Sequence, residues 1–191
     1  MWKKCQFRGC FCEKVHIVWT FFLPYDDVYL VLYEREGLQT MFVDDLREKI
    51  KGKGVRIVFT EGPDNRVQEA AVRLQREGIL NPILLGDKDE IAATAKLYSH
   101  DLSGIKIMCP QEFTDMDKMV TRMIELRRGK MDEAACRKAL QQTNYFGTML
   151  VQMGYADGLL GGATYSTADT VRPALQLVKA APGNSIVSSC F

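Results

Sequence analysis

The sequence predicts a three-layer α/β fold, in which a largely parallel sheet is covered by helices on both faces. Two observations carry that expectation. From residue 41 onward, short β-branched apolar runs alternate with longer segments whose apolar residues recur at helical spacing. Glycine or proline closes segment after segment, and strands separated by helices in this way imply crossovers that make the sheet parallel and bury both faces. With 191 residues, 47% of them hydrophobic and 26% charged, the chain is long enough for one ordinary globular core.

The elements follow in order. "MFVDDLREKIKGKG" opens as a helix, with Phe42, Leu46 and Ile50 on one face and Gly52 ending it. "VRIVFTEG" is the first strand. "NRVQEAAVRLQREG" is a helix with Val67, Ala70, Ala71 and Leu74 on its apolar stripe and Gly78 as its stop. "PILLGD" is the second strand, "DEIAATAKLYS" a helix, and "GIKIMC" a third strand ending at Pro110. In "DMDKMVTRMIELRRG" the stripe Met116, Met119, Val120, Met123 and Ile124 reads as core packing, which such methionines usually are. "DEAACRKALQQ" and "YFGTMLVQMG" are two further helices, "ADGLLGG" a fourth strand, residues 167–180 a helix bounded by Pro182 and Gly183, and "SIVSSC" a fifth strand.

Residues 1–40 read differently. They hold both tryptophans and three of the six cysteines, without steady periodicity. Lys3, Lys4 and Arg8 before "VHIVWTFFL" suggest a signal peptide, but the apolar run is short, no small-residue cleavage site follows, and Asp26 and Asp27 interrupt it. The same acids leave it short of the about 18 apolar residues of a membrane span. We read residues 1–40 as a non-native leader outside the fold, with Met41 the physiological start and residues 41–191 the folded unit. A genuine extension is the alternative.

Net charge is +1, with basic and acidic residues interspersed, so no face advertises a nucleic acid or an acidic membrane. Cys5, Cys10, Cys12, Cys109, Cys136 and Cys190 match neither a small disulfide framework nor paired zinc knuckles, which makes a reducing cytoplasm the default. Cys5, Cys10, Cys12 and His16 stand in an order that fits no common structural zinc spacing, and no metal site is expected.

In parallel sheets ligands gather beyond the carboxyl ends of the strands. Two loops fall there, "TEGPDNR" after the first strand and "GGATYSTADTVR" after the fourth. Gly161 and Gly162 permit close approach to backbone, and free amides at the following helix start favour an anion, most simply phosphate. Arg172 adds a planar donor fork, and Pro173 places it in or close to the first turn. The competing reading is that Ser166, Thr167 and Asp169 only cap the helix while Arg172 pairs with a surface acid. No P-loop, no G-x-G-x-x-G after the first strand and no G-x-S-x-G elbow occurs, and His16 and His100 lie outside both loops. A nicotinamide dehydrogenase and His-assisted nucleophilic catalysis are therefore disfavoured.

The stretches "IVFTEGPDNRVQEAA", "ILNPILLGD", "IELRRGK", "NYFGTMLVQMGYADGLLGGATYSTADTVRPALQLVK" and "SIVSSCF" resemble the phosphate acetyltransferase (phosphotransacetylase) family from near Met41 to the last residue. The resemblance implies reversible acetyl transfer between coenzyme A and inorganic phosphate, in a two-domain α/β enzyme whose substrates meet between the domains. It implies that Arg66, Arg127 and Arg172 help bind coenzyme A phosphates or the reacting anion, with Gly161, Gly162, Ser166 and Thr170 in the same substrate-binding region. Acetyl-CoA and phosphate are then substrates, and no cofactor is permanently bound. The family pattern continues beyond "VSSCF", so the resemblance places its Ser-Arg pair and general-base Asp, and its homodimer contact, outside this chain. The 191 residues are expected to be a fragment, cut as the second domain begins, with weak or no activity alone. Phosphate butyryltransferase and a non-catalytic acyl-CoA-binding or regulatory module remain as alternatives.

Overall fold

The computed structural model of the protein describes residues 47–179, position 44 and the short strand His16–Ile17. Phe42 and Leu46, the cysteines of the leader, and the strand and boundary expected over 180–191 lie outside the described residues. In chain order the elements are β1 (His16–Ile17), β2 (Arg56–Phe59), α1 (Asn65–Arg76), β3 (Asn81–Leu85), α2 (Lys88–Tyr98), β4 (Lys106–Met108), a 3-10 turn (Pro110–Glu112), α3 (Met116–Arg127), α4 (Glu133–Ala139), α5 (Thr143–Gln152), β5 (Gly158–Leu160) and α6 (Thr167–Leu177). The strands lie side by side as β1-β5-β2-β3-β4, every described pairing parallel.

Side-chain alternation along these strands builds the three layers. Val58, Ile83, Leu85, Met108 and Leu159 face one side, where they meet Met119, Val120 and Met123 of α3, Cys136 of α4, Phe146, Met149 and Leu150 of α5, and Leu177 of α6. Phe59, Leu84 and the partly buried Ile57, Ile107 and Leu160 face the other, against Val67 and Ala71 of α1 and Ile91 of α2. Consecutive residues of one strand thus serve opposite cores, which is why the strands read as continuous apolar runs.

Aspartates start several of these helices. Asp64 accepts from the amides of Arg66 and Val67, Asp87 from those of Asp89 and Glu90, and Asp132 from that of Ala135. Two details depart from the sequence reading. On α1 Ala70 is exposed and Gln68 is buried in its place. The Gln68 Nε2 donates to the carbonyls of Gly62 and Ile91 at 2.9 and 3.0 Å, so an amide side chain pins the turns after β2 and into α2 where an apolar stripe was expected. The second departure is Pro173, which lies inside α6 rather than at its start, so Arg172 belongs to the second turn.

The sheet order contains a reversal. After β2 the chain moves outward to β3 and β4, and it returns to the opposite side of β2 to form β5. Phe59 stands beside Leu160 in register, so the loops that leave β2 and β5 emerge next to each other at the carboxyl edge. Such a switch point opens a crevice in a parallel sheet, because the helices that follow diverge to opposite faces. Beneath it, Arg56 and Asp157 clamp the strands' starts through a two-pronged pair at 2.8 and 3.1 Å. That pair holds the Asp157 carboxyl below its usual range, chiefly through the Arg56 side-chain hydrogen bonds.

Candidate functional site

Both loops named from the sequence meet at this switch point. The glycines leaving β5 are required there. A Cβ on Gly161 would stand 2.5 Å from Thr60 Oγ1, and Gly162 has φ +110°, a region side chains avoid. The close approach is therefore to the neighbouring strand of the same protein.

The chain after Gly161 turns its amides inward, and the anion they meet is Glu61. Oε2 accepts from the amides of Gly162 and Ala163 at 2.9 and 3.0 Å, and Oε1 from those of Thr164 and Tyr165 at 2.5 and 2.8 Å. Thr164 Oγ1 donates to Oε1 as well, at 3.0 Å. The sequence pointed to free amides at the start of the following helix; the amides that converge are those of the loop before it, and they are not free, because a side chain from the β2 loop occupies them. Glu61 was not singled out beforehand, and its only trace was a carboxylate two residues after a buried strand.

Arg66 makes a second bridge between the loops. Its guanidinium grips Asp64 at 2.8 and 3.1 Å and donates to the Ala163 carbonyl at 3.1 Å. That grip, foremost among several influences, holds the Asp64 carboxyl below its usual range, with burial opposing it and the α1 amides assisting. Ser166 caps α6, accepting from the Asp169 amide and donating to the Asp169 carboxylate at 2.6 Å. The capping half of the competing reading is thus present. The other half is not, since no ion pair to a described acid engages Arg172, which is exposed.

Thr170 is buried, its hydroxyl donating to the Ser166 carbonyl at 3.1 Å. Pro173 cannot donate to the carbonyl of Asp169 as a helix interior requires. Asn144 of α5 supplies that bond, its Nδ2 donating to the Asp169 carbonyl at 2.7 Å while its Oδ1 accepts from the Tyr145 amide. Asn144 was also missed, because nothing local links it to a helix 25 residues on.

Arg127 is held differently. It ends α3, where its Nε is buried without a hydrogen-bond partner, and no hydrogen bond among the described residues ties it to either loop. Its charge is felt instead at Cys136, whose thiol burial pushes up, Asp132 pushes up further and Arg127 draws down.

A cavity of about 450 Å³ opens between the β2, β3 and β5 loops, the 3-10 turn and the start of α5. Glu61, Asp64, Asp87 and Glu90 make its lining acidic, Gln111, Gln141, Thr143 and Tyr165 add polar groups, and none of the three arginines lines it. Its wall is braced by Thr143 and Tyr165, whose hydroxyls are 2.9 Å apart. Among the described residues no group of three or more His, Cys, Asp or Glu could hold a metal, and no helix is long and apolar enough to cross a membrane.

Residues 41–191 match the family model described as phosphate acetyl/butaryl transferase. The chain belongs to that family. It is 49% identical over 146 residues to a phosphate acetyltransferase of Bacillus subtilis, covering 76% of this chain and 45% of that protein. A phosphate acetyltransferase of Staphylococcus aureus is 44% identical over 146 residues, with 76% and 44% covered. Among solved structures, the fold superposes on a EutD phosphotransacetylase from Staphylococcus aureus with TM-score 0.75 and 41% identity, over 79% of this chain and 46% of that one. A phosphotransacetylase from Streptococcus pyogenes gives TM-score 0.74 and 47% identity, over 78% and 45%. The chain thus spans under half the length of these relatives, and the family shares its three-layer architecture.

Proposed function

We propose that this protein forms part of a phosphate acetyltransferase, in which acetyl passes reversibly between coenzyme A and inorganic phosphate to give acetyl phosphate. The observation that carries the reading is the placement of Asp169–Ala174, the D-T-x-R-P-A segment, directly after a loop locked at the sheet's switch point, with the Arg172 guanidinium exposed. The amides of residues 162–165 are committed to Glu61, the Ser166 and Thr170 hydroxyls to Asp169 and the Ser166 carbonyl, and Arg66 to Asp64, so Arg172 is foremost in receiving a phosphate, and Arg66, Ser166 and Thr170 join it only by exchanging those bonds. Gly161 and Gly162 shape the loop rather than touch the ligand. Arg127, which no hydrogen bond among the described residues ties to either loop, serves a separate part of coenzyme A.

No general base is assigned among residues 41–191, and none of the steps proposed needs a metal or a resident cofactor. Acetyl-CoA and phosphate are the small-molecule partners, the setting is the cytoplasm, and the whole enzyme is a homodimer. The acetyl branch is preferred to the butyryl branch because the relatives at 44–49% identity bear the phosphate acetyltransferase name. Although the strand His16–Ile17 pairs with β5, we read residues 41–191 as the unit that carries the stability: removing residues 1–40 leaves the melting temperature unchanged, whereas a fall would assign the β1 pairing to the fold.

The test is acetyl phosphate formation from acetyl-CoA and phosphate, trapped as the hydroxamate, beside the Bacillus subtilis relative. The 191-residue chain alone turns over at least about 100-fold more slowly, the usual worth of one general base. Turnover equal to the relative's overturns the placing of the base outside these residues. A preference for butyryl-CoA overturns the choice of acyl group.

A further inference from the structure

We propose that Glu61 is a positioning residue, whose carboxylate fills the amide cradle of residues 162–165 and thereby fixes the loop that presents Ser166, Thr170 and Arg172. Four consecutive amides and the Thr164 hydroxyl converge on its two oxygens, with the Thr60 hydroxyl at the edge of reach at 3.5 Å, which fills the about four lone-pair directions a carboxylate offers. Glu61 is only 6% exposed, so these contacts are made away from bulk water. A cluster of backbone N–H groups of this kind is an anion nest. Here its anion is tethered to the neighbouring strand, and a free phosphate would have to displace it.

Two consequences follow for binding. The loop is held before any ligand arrives, with the Arg66 bond to the Ala163 carbonyl as a second tie. Phosphate is also excluded from the backbone and left to the guanidinium of Arg172 on the solvent side. This rests on the transferase reading for what the loop binds, but not for what holds it.

Glutamine at position 61 is nearly isosteric yet replaces one acceptor oxygen with a donor NH2, which must face two of the four amides. The experiment compares wild type, Glu61→Gln and Glu61→Ala in the full chain by amide hydrogen exchange, with melting followed by circular dichroism. In Glu61→Gln, exchange at residues 162–165 rises at least about tenfold while the amides of β2 and β3 keep their protection. In Glu61→Ala, added acetate or phosphate restores protection at the same amides, because a free anion can enter the vacated cradle; neither anion changes wild type. Unchanged exchange at 162–165 in Glu61→Gln overturns the proposal, as does a loss of protection across the whole sheet, or an alanine variant indifferent to both anions. Coenzyme A titration into the same proteins separates the two readings. Where wild type binds it, Glu61→Gln weakens binding at least about tenfold at a temperature at which both are folded. Where wild type does not bind it, the transferase reading fails while the exchange result still decides the role of Glu61.

Discussion

Gly62 sits where the β2 loop passes under the turn after β3, and replacing it with alanine measures how tightly the two are packed. A Cβ there would stand 2.6 Å from the Leu85 carbonyl oxygen and 2.8 Å from Ile91 Cδ1. Ordinary C···O contacts lie near about 3.3 Å or beyond, so the backbone must open by roughly 0.7 Å. That carbonyl also accepts from the Gly62 amide at 2.9 Å, and opening the gap strains the same bond. Overpacking typically costs about 1–3 kcal/mol and a weakened backbone hydrogen bond up to about 1 kcal/mol more. The φ of Gly62 is not left-handed, so alanine recovers about 0.4–1 kcal/mol by restricting the unfolded chain. The net expectation is a loss of about 1–3 kcal/mol, or roughly 3–10 °C in Tm for a chain of this size. Thermal and urea melts of Gly62→Ala beside wild type read it directly. A variant as stable as wild type, or more stable, refutes the claim that this turn is wedged under β3.

Asn144→Ala removes the donor to the Asp169 carbonyl and costs about 1–2 kcal/mol by urea unfolding; Pro173→Ala, which returns a helix N–H to that carbonyl, offsets part of the loss in the double variant. Strict additivity of the two substitutions contradicts the pairing. Asp64→Ala costs about 1–2 kcal/mol at pH 7, since its largely buried carboxylate both caps α1 and pairs with Arg66. The folded-state pKa of Asp64 is depressed, so its contribution is present above the ordinary carboxylate value of about 3.9 and is lost as pH falls through the lower folded value. The difference between wild type and Asp64→Ala therefore narrows below about pH 4, and a gap independent of pH contradicts the assignment.

The described strands and helices after residue 54 were readable because each is written in a local pattern, whereas the short strand His16–Ile17 fell in a stretch without one. The methionine stripe of α3 is buried as its spacing implied, with Met119, Val120 and Met123 inside, and aspartates mark the starts of α1, α2 and α4. What escaped were the residues whose partners lie far along the chain. Glu61 bonds to amides 101–104 positions away. Pro173 was read by its local prohibition, which favours a helix start, while the remedy that lets it stand inside α6 comes from Asn144 on another helix. Gln68 was left off the apolar stripe, and the two carbonyls that satisfy its buried Nε2 belong to Gly62 and Ile91, the latter 23 residues away. The glycines at 161 and 162 did point to the right loop, although the group approaching Gly161 is Thr60 of the neighbouring strand.

The central claim is that the segment from Gly161 to Arg172 receives a phosphate group of coenzyme A through the exposed arginine. Isothermal titration of coenzyme A into the 191-residue protein and into Arg172→Ala tests it most directly, because it needs no turnover. The account predicts saturable binding by wild type and at least a tenfold weaker constant for the variant, the loss of about 1.4 kcal/mol or more that one charged hydrogen-bonding partner supplies. Equal affinity of the two proteins, with both folded, would contradict it.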